Sequence, residues 1–334
     1  MRSIELCAGG GGEAIGLHRA GFEHVALSEL DRHACNTLRL NQPDWPVVEG
    51  DLRDFDATSF LDQEIDLVSG GVPCQPFSVG GKQLGQHDER DLYPEAIRVV
   101  SQCLPKAFMF ENVPGLAEPR FDVYRQEVIS ELEHLGYYVE ERVLDSVNFG
   151  VPQTRKRYVL VGRRSGPARF PWPNTNTRAP SVGEVLVDLM ASNGWLGATA
   201  WANRANLPAP SIVGGSTKHG GADLGPTRAK KMWAKMGVDA LGVADEPPGP
   251  DFPVDSMPKL TNRMVARLQG FPDDWQFSGR KTPAYRQIGN AFPAPVAEAL
   301  GRAIKEWLKM PSFEDDSVKR HRAEQLHLLA IDDN

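Results

Sequence analysis

The sequence contains no run of about 18 apolar residues, the length that a membrane-spanning helix requires. It also lacks a recognisable leader, because the N-terminus runs directly into the apolar strand pattern Ile4–Cys7. We therefore expect a soluble, cytoplasmic protein without a membrane partner. Its four cysteines show neither Cys-x-x-Cys nor Cys/His spacing, so the sequence predicts no disulfide framework and no bound metal.

The charge is acidic overall but is distributed unevenly along the chain. A net charge of −7 by itself disfavours a polyanionic partner. Residues 150–290, however, carry 19 Lys and Arg against 10 Asp and Glu, whereas the remainder carries 18 against 34. Such a basic region is what a nucleic acid partner would require, although a chance excess among solvated side chains gives the same pattern.

Hydrophobic patterning predicts an α/β protein. The first 165 residues alternate short apolar strands with helical stretches, as proteins with a parallel sheet do. The predicted strands are Ser3–Cys7, His24–Ser28, Ile65–Ser69, Ala107–Glu111, Tyr137–Leu144 and Arg157–Gly162. The predicted helices are Gly12–Ala20, His33–Asn41, Tyr93–Cys103, Asp122–Leu135 and Pro295–Leu308. From about Pro167, prolines, glycines and tryptophans are scattered without sustained periodicity, which indicates a second, loop-rich domain.

A cysteine follows the third of these strands. The strand is stopped by Gly70, Gly71 and Pro73, so Cys74 is expected at the carboxyl edge of the sheet, where open α/β folds carry their chemistry. A thiolate at that edge is a nucleophile if a positive charge or a helix N-terminus lowers its pKa. A lone cysteine is more often a buried structural residue, so the neighbouring motifs decide between the two interpretations.

A glycine-rich segment, Cys7–Gly16, follows the first strand and opens the first helix. Its glycines allow a tight turn and a close approach to a ligand, although a plain turn into a helix has the same composition. Glu29 follows Gly9 by 20 residues and ends the second strand, where a carboxylate can bind ribose hydroxyls. Asp51 is placed to accept from an adenine amino group. Because no Arg or Lys follows to neutralise a pyrophosphate, S-adenosylmethionine fits this pattern better than a dinucleotide does.

Three further residues suggest the chemistry of the site. Glu111 ends an apolar strand, where partial desolvation raises a carboxyl pKa and allows proton donation near neutral pH. Gln153, Arg155 and Arg157 alternate along an extended segment and so share a face, where two guanidinium groups can hold a carboxylate, a phosphate or a carbonyl oxygen. A structural strand-end acid and surface cations are the alternative interpretations.

A thiolate, a carboxylic acid and a guanidinium group together suit the activation of cytosine. Addition of the Cys74 thiolate at carbon 6, with an acid at N3, makes carbon 5 nucleophilic toward a methyl donor. Loss of the carbon 5 proton and β-elimination then release the product. The base has to leave its stack to reach such a pocket.

The order of these motifs resembles that of the DNA (cytosine-5)-methyltransferase family over roughly residues 3–310. The matching blocks are Glu5–Phe22, Glu29–Asp31, Gly50–Asp54, Gly70–Gly81, Asp91–Tyr93, Glu111–Val113, Gln153–Arg157, Arg267–Pro272 and Tyr285–Pro295. The resemblance implies a Rossmann-like, S-adenosylmethionine-dependent methyltransferase domain with a mixed, mostly parallel sheet, and a smaller target-recognition domain. It implies boundaries of 1–169 and 281–310 for the catalytic and cofactor-binding domain, 170–280 for target recognition, and 311–334 for a peripheral tail.

The resemblance also implies roles for individual residues. Cys74 would be the covalent nucleophile, Glu111 the group that binds and protonates N3, and Arg157 a contact to the cytosine carbonyl, with Arg155 supporting Glu111 or a phosphate. The implied cofactor-binding residues are Gly9, Gly11, Glu29, Leu30, Asp51, Leu52, Leu92 and Asn290. The expected DNA contacts are Gln75, Ser78, Gln153, Thr217, Lys218, Arg228, Lys230 and Lys231, with His219, Trp233 and Lys235 as further candidates. Residues 75–91, with Gly80, Gly81 and Gly85 as hinges, resemble the loop that closes over the flipped cytosine.

One departure and several alternatives remain open in the sequence. Cys7 stands where the family usually has a phenylalanine against the donor, which puts affinity or selectivity for the donor in doubt. The lead hypothesis is a sequence-specific modification enzyme of a restriction–modification system, which acts on double-stranded DNA as a monomer and shares its site with a cognate endonuclease. A tRNA cytosine-5 methyltransferase is an alternative, but Asp255–Leu260 stands where that branch carries Cys-Phe-Thr. A catalytically silent DNA-binding relative would not need Cys74, and a nicotinamide-dependent dehydrogenase would not explain it.

Overall fold

A computed structural model describes residues 1–73, 91–165, 169–173, 177–215 and 221–311. Within these ranges the chain forms one seven-stranded sheet with the order β3-β2-β1-β4-β5-β7-β6. The strands are β1 (Arg2–Leu6), β2 (Glu23–Glu29), β3 (Val47–Glu49), β4 (Leu67–Gly70), β5 (Ala107–Asn112), β6 (Tyr137–Asp145) and β7 (Lys156–Arg164). Strands β1 to β5 pair in parallel, and β7 runs antiparallel to both β5 and β6. The mixed, mostly parallel sheet expected from the sequence is confirmed.

The helices that flank the sheet match the predicted ones closely, and several more follow. They are α1 (Gly12–Arg19), α2 (Arg32–Asn41), α3 (Tyr93–Cys103), α4 (Asp122–His134), α5 (Val182–Ala191), α6 (Ala198–Arg204), α7 (Thr227–Lys235), α8 (Asn262–Leu268), α9 (Lys281–Asn290) and α10 (Ala294–Lys309). The region after Pro167 therefore contains more helix than a loop-rich domain implies. Helix α5 carries a signal that the sequence offered, since Ser181 and Glu184 form a capping box.

Burial explains why the central strands form where they do. All six residues of β5 are buried, as expected for a strand covered by helices on both faces. The sequence analysis missed β3, because this strand has only three residues, is partly exposed and follows Pro46. None of the described helices is long and apolar enough to cross a membrane.

The last described helix returns to the first part of the chain. Helix α10 packs against α1, and small residues at the contact let the two helices approach closely. A Cβ on Gly16 would lie 2.4 Å from the Ala294 carbonyl oxygen, and one on Gly301 would lie 2.8 Å from the Ala20 Cβ. One buried apolar cluster extends without interruption from Ile15 and Leu38 into residues 182–294. The carboxyl ends of β1, β4 and β5 are thereby held against α9 and the segment that follows it.

Candidate active site

A small cavity lies at the carboxyl ends of the central strands, where the sequence places its chemistry. Its volume is about 60 Å³. It is lined by Glu5, Cys7, Ala8, Gly9, Gly10, Gly12, Glu13, Gly71, Glu111, Gln287, Asn290, Ala291 and Phe292. The glycine loop, the end of β5 and the end of α9 therefore meet at one place, although they are far apart in sequence.

The glycine loop adopts a conformation that its sequence makes possible. Gly9 and Gly11 have φ angles of +55° and +90°, which side-chain-bearing residues rarely adopt. Cys7 also lies in the left-handed region, with φ +55°, which is uncommon for a residue other than glycine. Trp275 holds the loop from outside by donating a hydrogen bond from its indole Nε1 to the Gly10 carbonyl oxygen at 3.0 Å. Sequence reasoning did not identify Trp275, because nothing local connects it to the loop.

Glu29 ties the end of β2 to the glycine loop. Its Oε2 accepts a hydrogen bond from the Gly9 amide at 2.7 Å, and its Oε1 accepts one from the Asp31 amide at 2.7 Å. Burial raises the pKa of this carboxyl, and the backbone donors oppose that shift. Leu30 follows immediately and is 67 % exposed, so an apolar surface stands open beside the carboxylate.

The other predicted cofactor residues have mixed surroundings. Asn290 is exposed and lines the cavity, and the Leu92 amide donates to the Pro73 carbonyl oxygen at 3.1 Å. Leu52 is buried. Asp51 accepts hydrogen bonds from the Arg53 guanidinium at 3.0 Å, so its carboxylate already has a cationic partner.

The Cys7 thiol stays protonated in these surroundings. Burial raises its pKa well above the usual range, and the carboxylates of Glu29, Asp51, Glu5 and Glu13 raise it further. Cys7 therefore carries no nucleophilic chemistry at neutral pH.

Glu111 and Arg157 form a buried ion pair at the sheet edge. Arg157 Nε lies 3.2 Å from Glu111 Oε2, and both side chains are largely buried. Burial raises the pKa of the Glu111 carboxyl, whereas the Arg157 and Arg155 guanidinium groups lower it. A Cβ on Gly71 would lie only 2.6 Å from Glu111 Oε1, so any larger residue there would displace the carboxylate.

The chain just before Cys74 is fixed to the same strand. Asn112, the last residue of β5, donates from its side-chain amide to the Val72 carbonyl oxygen at 2.8 Å. The next residue, Pro73, accepts the bond from Leu92 described above. The backbone on both sides of residues 74–90 is thus anchored beside Glu111.

Two predicted site residues are buried in this structure. Arg155 is 1 % exposed and donates to the carbonyl oxygens of Ile212 and Gly289, and its guanidinium group lowers the pKa of Glu111, so the structure favours support of Glu111 over a phosphate contact. Gln153, expected to contact DNA, is fully buried; its Oε1 accepts from the Ile212 amide at 2.8 Å and its Nε2 donates to Gln269 Oε1. Arg155 thus joins Ile212 to α9, and Gln153 joins Ile212 to Gln269, which follows α8. The sequence predicted correctly that Gln153 and Arg155 share a face, but it did not predict that the segment around Ile212 covers that face.

The predicted basic residues of α7 divide between surface and interior. Arg228 and Lys231 are exposed, and with Lys235 they follow the i, i+3, i+7 spacing of one helix face. Lys230 instead forms an ion pair with Asp223 at 2.8 Å, and Trp233 is completely buried in the core. Burial excludes Trp233 from a DNA contact in this structure, whereas Lys230 stays partly exposed and its expected DNA contact stays a prediction.

Several predicted site residues lie outside the described residues. They are the expected nucleophile Cys74, the expected DNA contacts Gln75, Ser78, Thr217, Lys218 and His219, and the expected hinges Gly80, Gly81 and Gly85.

Comparison with known proteins identifies the family to which these motifs belong. Residues 1–306 match the model of the C-5 cytosine-specific DNA methylase family. The chain is 53 % identical over 313 residues to the type II methyltransferase M.NaeI of Lentzea aerocolonigenes, covering 93 % of this chain and 76 % of that protein. It is 49 % identical over 314 residues to the type II methyltransferase M.NgoMIV of Neisseria gonorrhoeae, covering 92 % and 98 %.

Solved structures show the same fold at lower identity. A putative DNA modification methyltransferase encoded within an Escherichia coli prophage has a TM-score of 0.65 and 23 % identity, covering 93 % of this chain and all of that one. Spodoptera frugiperda DNMT2 has a TM-score of 0.64 and 18 % identity, covering 91 % and 99 %.

Proposed function

The chain belongs to the C-5 cytosine-specific DNA methylase family, and we propose that it transfers a methyl group from S-adenosylmethionine to carbon 5 of a cytosine in a specific sequence of duplex DNA. The observation that carries this proposal is the buried Glu111–Arg157 ion pair, which lies beside the glycine loop and the anchored residues that lead into Cys74. Both sequence relatives described above are type II methyltransferases, so a role in restriction–modification is proposed for this chain as well.

Glu111 is suited to protonate cytosine at N3. Its burial favours the protonated carboxyl, and the carboxyl in that form donates a hydrogen bond to a ring nitrogen. Arg157 lowers the same pKa, so the carboxyl can also release its proton when the ring demands it. The guanidinium group of Arg157 has donors beyond the Nε that faces Glu111, and these can bind the neighbouring carbonyl oxygen of the base.

Cys74 supplies the nucleophile in this proposal. Its thiolate would add to carbon 6 while Glu111 protonates N3, and carbon 5 would then take the methyl group from S-adenosylmethionine, which leaves as S-adenosylhomocysteine. Water would accept the carbon 5 proton, the electron pair of that bond would expel the thiolate, and N3 would return its proton to Glu111, so the enzyme is restored. The two residues that precede Cys74 in the chain, Val72 and Pro73, are held by bonds to Asn112 and Leu92.

The residues around the glycine loop fit the methyl donor. Glu29 keeps carboxylate lone pairs for ribose hydroxyls while it binds Gly9, and exposed Leu30 offers an apolar surface to an adenine ring. Asn290 lines the cavity between these residues and Glu111. When bound, the donor supplies an electrophilic methyl group. Asp51 would have to release Arg53 in order to bind the adenine amino group.

The exposed basic face of α7 is the proposed phosphate contact. Arg228, Lys231 and Lys235 carry three positive charges on one side of a short helix, which suits the backbone of duplex DNA. Residues 1–169 and 281–310 are proposed to carry catalysis, 170–280 to recognise the target, and 311–334 to be peripheral. A monomer that works in the bacterial cytoplasm, with a cognate endonuclease for the same site, completes the proposal.

A labelling experiment tests the proposed reaction. The protein is incubated with S-adenosylmethionine carrying a tritiated methyl group and with mixed-sequence duplex DNA or total tRNA in parallel. We expect label at carbon 5 of cytosine within one short DNA motif, identified by sequencing modified bases at single-nucleotide resolution. Label in tRNA alone would show that the same active site acts on RNA. No label in either substrate, with donor binding retained, would indicate a catalytically silent DNA-binding protein.

A further inference from the structure

Two carboxyl groups other than Glu111 converge on the cavity. Glu5 on β1 pairs in register with Ser69 on β4, and Ser69 pairs with Met109 on β5. Glu111 lies two residues beyond Met109, so Glu5, Ser69 and Glu111 project from the same face of the sheet. Glu13, the second residue of α1, reaches this face from the glycine loop and lines the cavity together with Glu5 and Glu111.

Glu13 is buried without a cation. It is 4 % exposed, and neither of its oxygens has a hydrogen bond of ordinary geometry to any part of the chain that the structure describes. The described residues that line the cavity include no Lys or Arg, and the guanidinium group of Arg157 is engaged with Glu111. An ionised carboxylate in such a place would cost several kcal/mol, so the group is favoured in its neutral form.

The charged and titratable groups around Glu13 all point to a retained proton. Burial raises its pKa to about 8, the Ser69 hydroxyl opposes that shift, and the Glu111 carboxylate adds to it. From β1, Glu5 has a pKa held well above the usual range by burial and by Glu13 itself. Burial and the nearby carboxylates keep Cys7 protonated, and the Arg157 and Arg155 guanidinium groups lower the pKa of Glu111. Glu13 is thus favoured in its protonated form, whereas the cationic neighbours of Glu111 favour its carboxylate.

We propose that Glu13 is a positioning residue that serves as a proton reserve for Glu111. The proton leaves the Glu13 carboxyl, passes through water in the cavity and arrives on the Glu111 carboxylate, so that Glu13 becomes the anion as Glu111 becomes the acid. A cavity of about 60 Å³ has room for such a water, and its lining supplies polar partners. Glu111 is then available in its protonated form over a wider pH range than it would be without Glu13. This inference rests on the proposed role of Glu111 at N3.

A pH profile distinguishes this role from a structural one. Single-turnover methyl transfer is measured between pH 6 and pH 9.5, with saturating S-adenosylmethionine and duplex DNA, for the wild type, Glu13→Gln and Ser69→Ala. Glu23→Gln, an exposed carboxyl at the start of β2, is the matched control. In the wild type the rate should fall only when the last shared proton is lost, near pH 8 or above.

Each variant has its own expected shift. Glu13→Gln keeps the shape of the side chain but removes the reserve, so the alkaline fall should move to lower pH by about one unit, which makes the rate about tenfold lower on that limb. Ser69→Ala removes the group that lowers the Glu13 pKa, so the fall should move to higher pH. Infrared difference spectra of the free protein should show absorption by buried protonated carboxyl groups at pH 7, and Glu13→Gln should lose the Glu13 contribution while that of Glu5 remains.

Several results would overturn the proposal. An alkaline limb of Glu13→Gln at the wild-type position, or a rate lowered equally at every pH, would make Glu13 a structural residue only. Carboxyl absorption in Glu13→Gln as strong as in the wild type would place the proton elsewhere. If Glu13→Gln does not fold, Ser69→Ala provides the test. An alkaline fall in Ser69→Ala that does not move to higher pH would then refute the role of Glu13 as a proton reserve. A wild-type protein that methylates no DNA would refute the proposed function instead, and the infrared band would still report whether Glu13 holds a proton.

Discussion

Replacing Gly71 with alanine tests how tightly the Glu111 carboxylate must be placed. The φ angle of Gly71 lies outside the left-handed region, so alanine meets no backbone penalty, and the added Cβ would lie 2.6 Å from Glu111 Oε1. Ordinary contacts begin near 3.4 Å, so the carboxylate oxygen must retreat by about 0.8 Å. The neighbouring Gly70 differs, because its Cβ would strike the Leu6 backbone oxygen at 2.2 Å and would disturb the sheet itself.

The displacement should affect rate far more than stability. The retreating group is the free end of a side chain, so relaxation is cheap, and we expect the free energy of unfolding to change by less than about 1 kcal/mol. The same retreat disturbs the 3.2 Å contact with Arg157 and moves the acid away from N3. Misplacement by about 1 Å can cost a hundredfold in rate, so a loss of about that size is expected for Gly71→Ala.

Single-turnover methyl transfer and urea unfolding together decide the outcome. Gly249→Ala is the matched control, because a Cβ there would make only an ordinary contact, 3.7 Å from Asn193 Nδ2. A Gly71→Ala enzyme with wild-type rate would refute the requirement for a closely placed Glu111. A loss of stability above about 3 kcal/mol would show that the backbone, not the carboxylate, yields to the new methyl group.

Four further predictions follow from the site and its surroundings. Cys74→Ser should abolish methyl transfer while calorimetry shows donor affinity within about twofold of wild type; remaining turnover would contradict the covalent mechanism. Arg228→Ala with Lys231→Ala should reduce the slope of log affinity for DNA against log salt by about 1.8, and an unchanged slope would place the DNA surface elsewhere. Gln269→Leu removes a buried amide partner, so urea unfolding should show a loss of about 1–3 kcal/mol; a neutral result would show that the amide pair is dispensable. Because the folded state raises the pKa of Glu13 to about 8, folding favours the proton, and the free energy of unfolding should decrease as pH rises from about 5 to 8, by up to about 1.4 kcal/mol per unit. Glu13→Gln should flatten that decrease in urea titrations at each pH, and an unaltered slope would assign it to other groups.

The sheet and the ends of its strands could be predicted from the sequence, because local signals define both. Alternating apolar segments predicted six of the seven strands to within about two residues, and the carboxyl-end location of Glu111 followed directly. The predicted rise in its pKa agrees with the direction that its burial gives. Strand β3 was missed because three partly exposed residues after a proline give no pattern.

The sequence could not show which distant part of the chain covers a predicted face. Alternation correctly put Gln153 and Arg155 on one side of an extended segment, and both in fact bind Ile212. Whether that side meets DNA or another part of the chain depends on a segment more than 50 residues away, about which local sequence says nothing. The capping box of α5 was, by contrast, a local signal that was available and was not used.

The Gln153–Arg157 segment contributes to the site in two ways, through the charge of Arg157 and through the backbone contacts of Arg155. Arg157 pairs with Glu111, which lines the cavity, so its charge acts on the proposed chemistry. Arg155, two residues earlier, donates to the carbonyl oxygens of Ile212 and Gly289. Two residues after Ile212, Gly214 lies so close to α9 that a Cβ on it would be 2.5 Å from Asn290 Oδ1. The segment that follows Ile212 therefore packs against Asn290, one of the α9 residues that line the cavity. Because Arg155 and Arg157 lie two residues apart on one segment, a disturbance of Arg155 should affect donor binding and the chemical step together, whereas a disturbance of Arg157 should affect the chemical step alone.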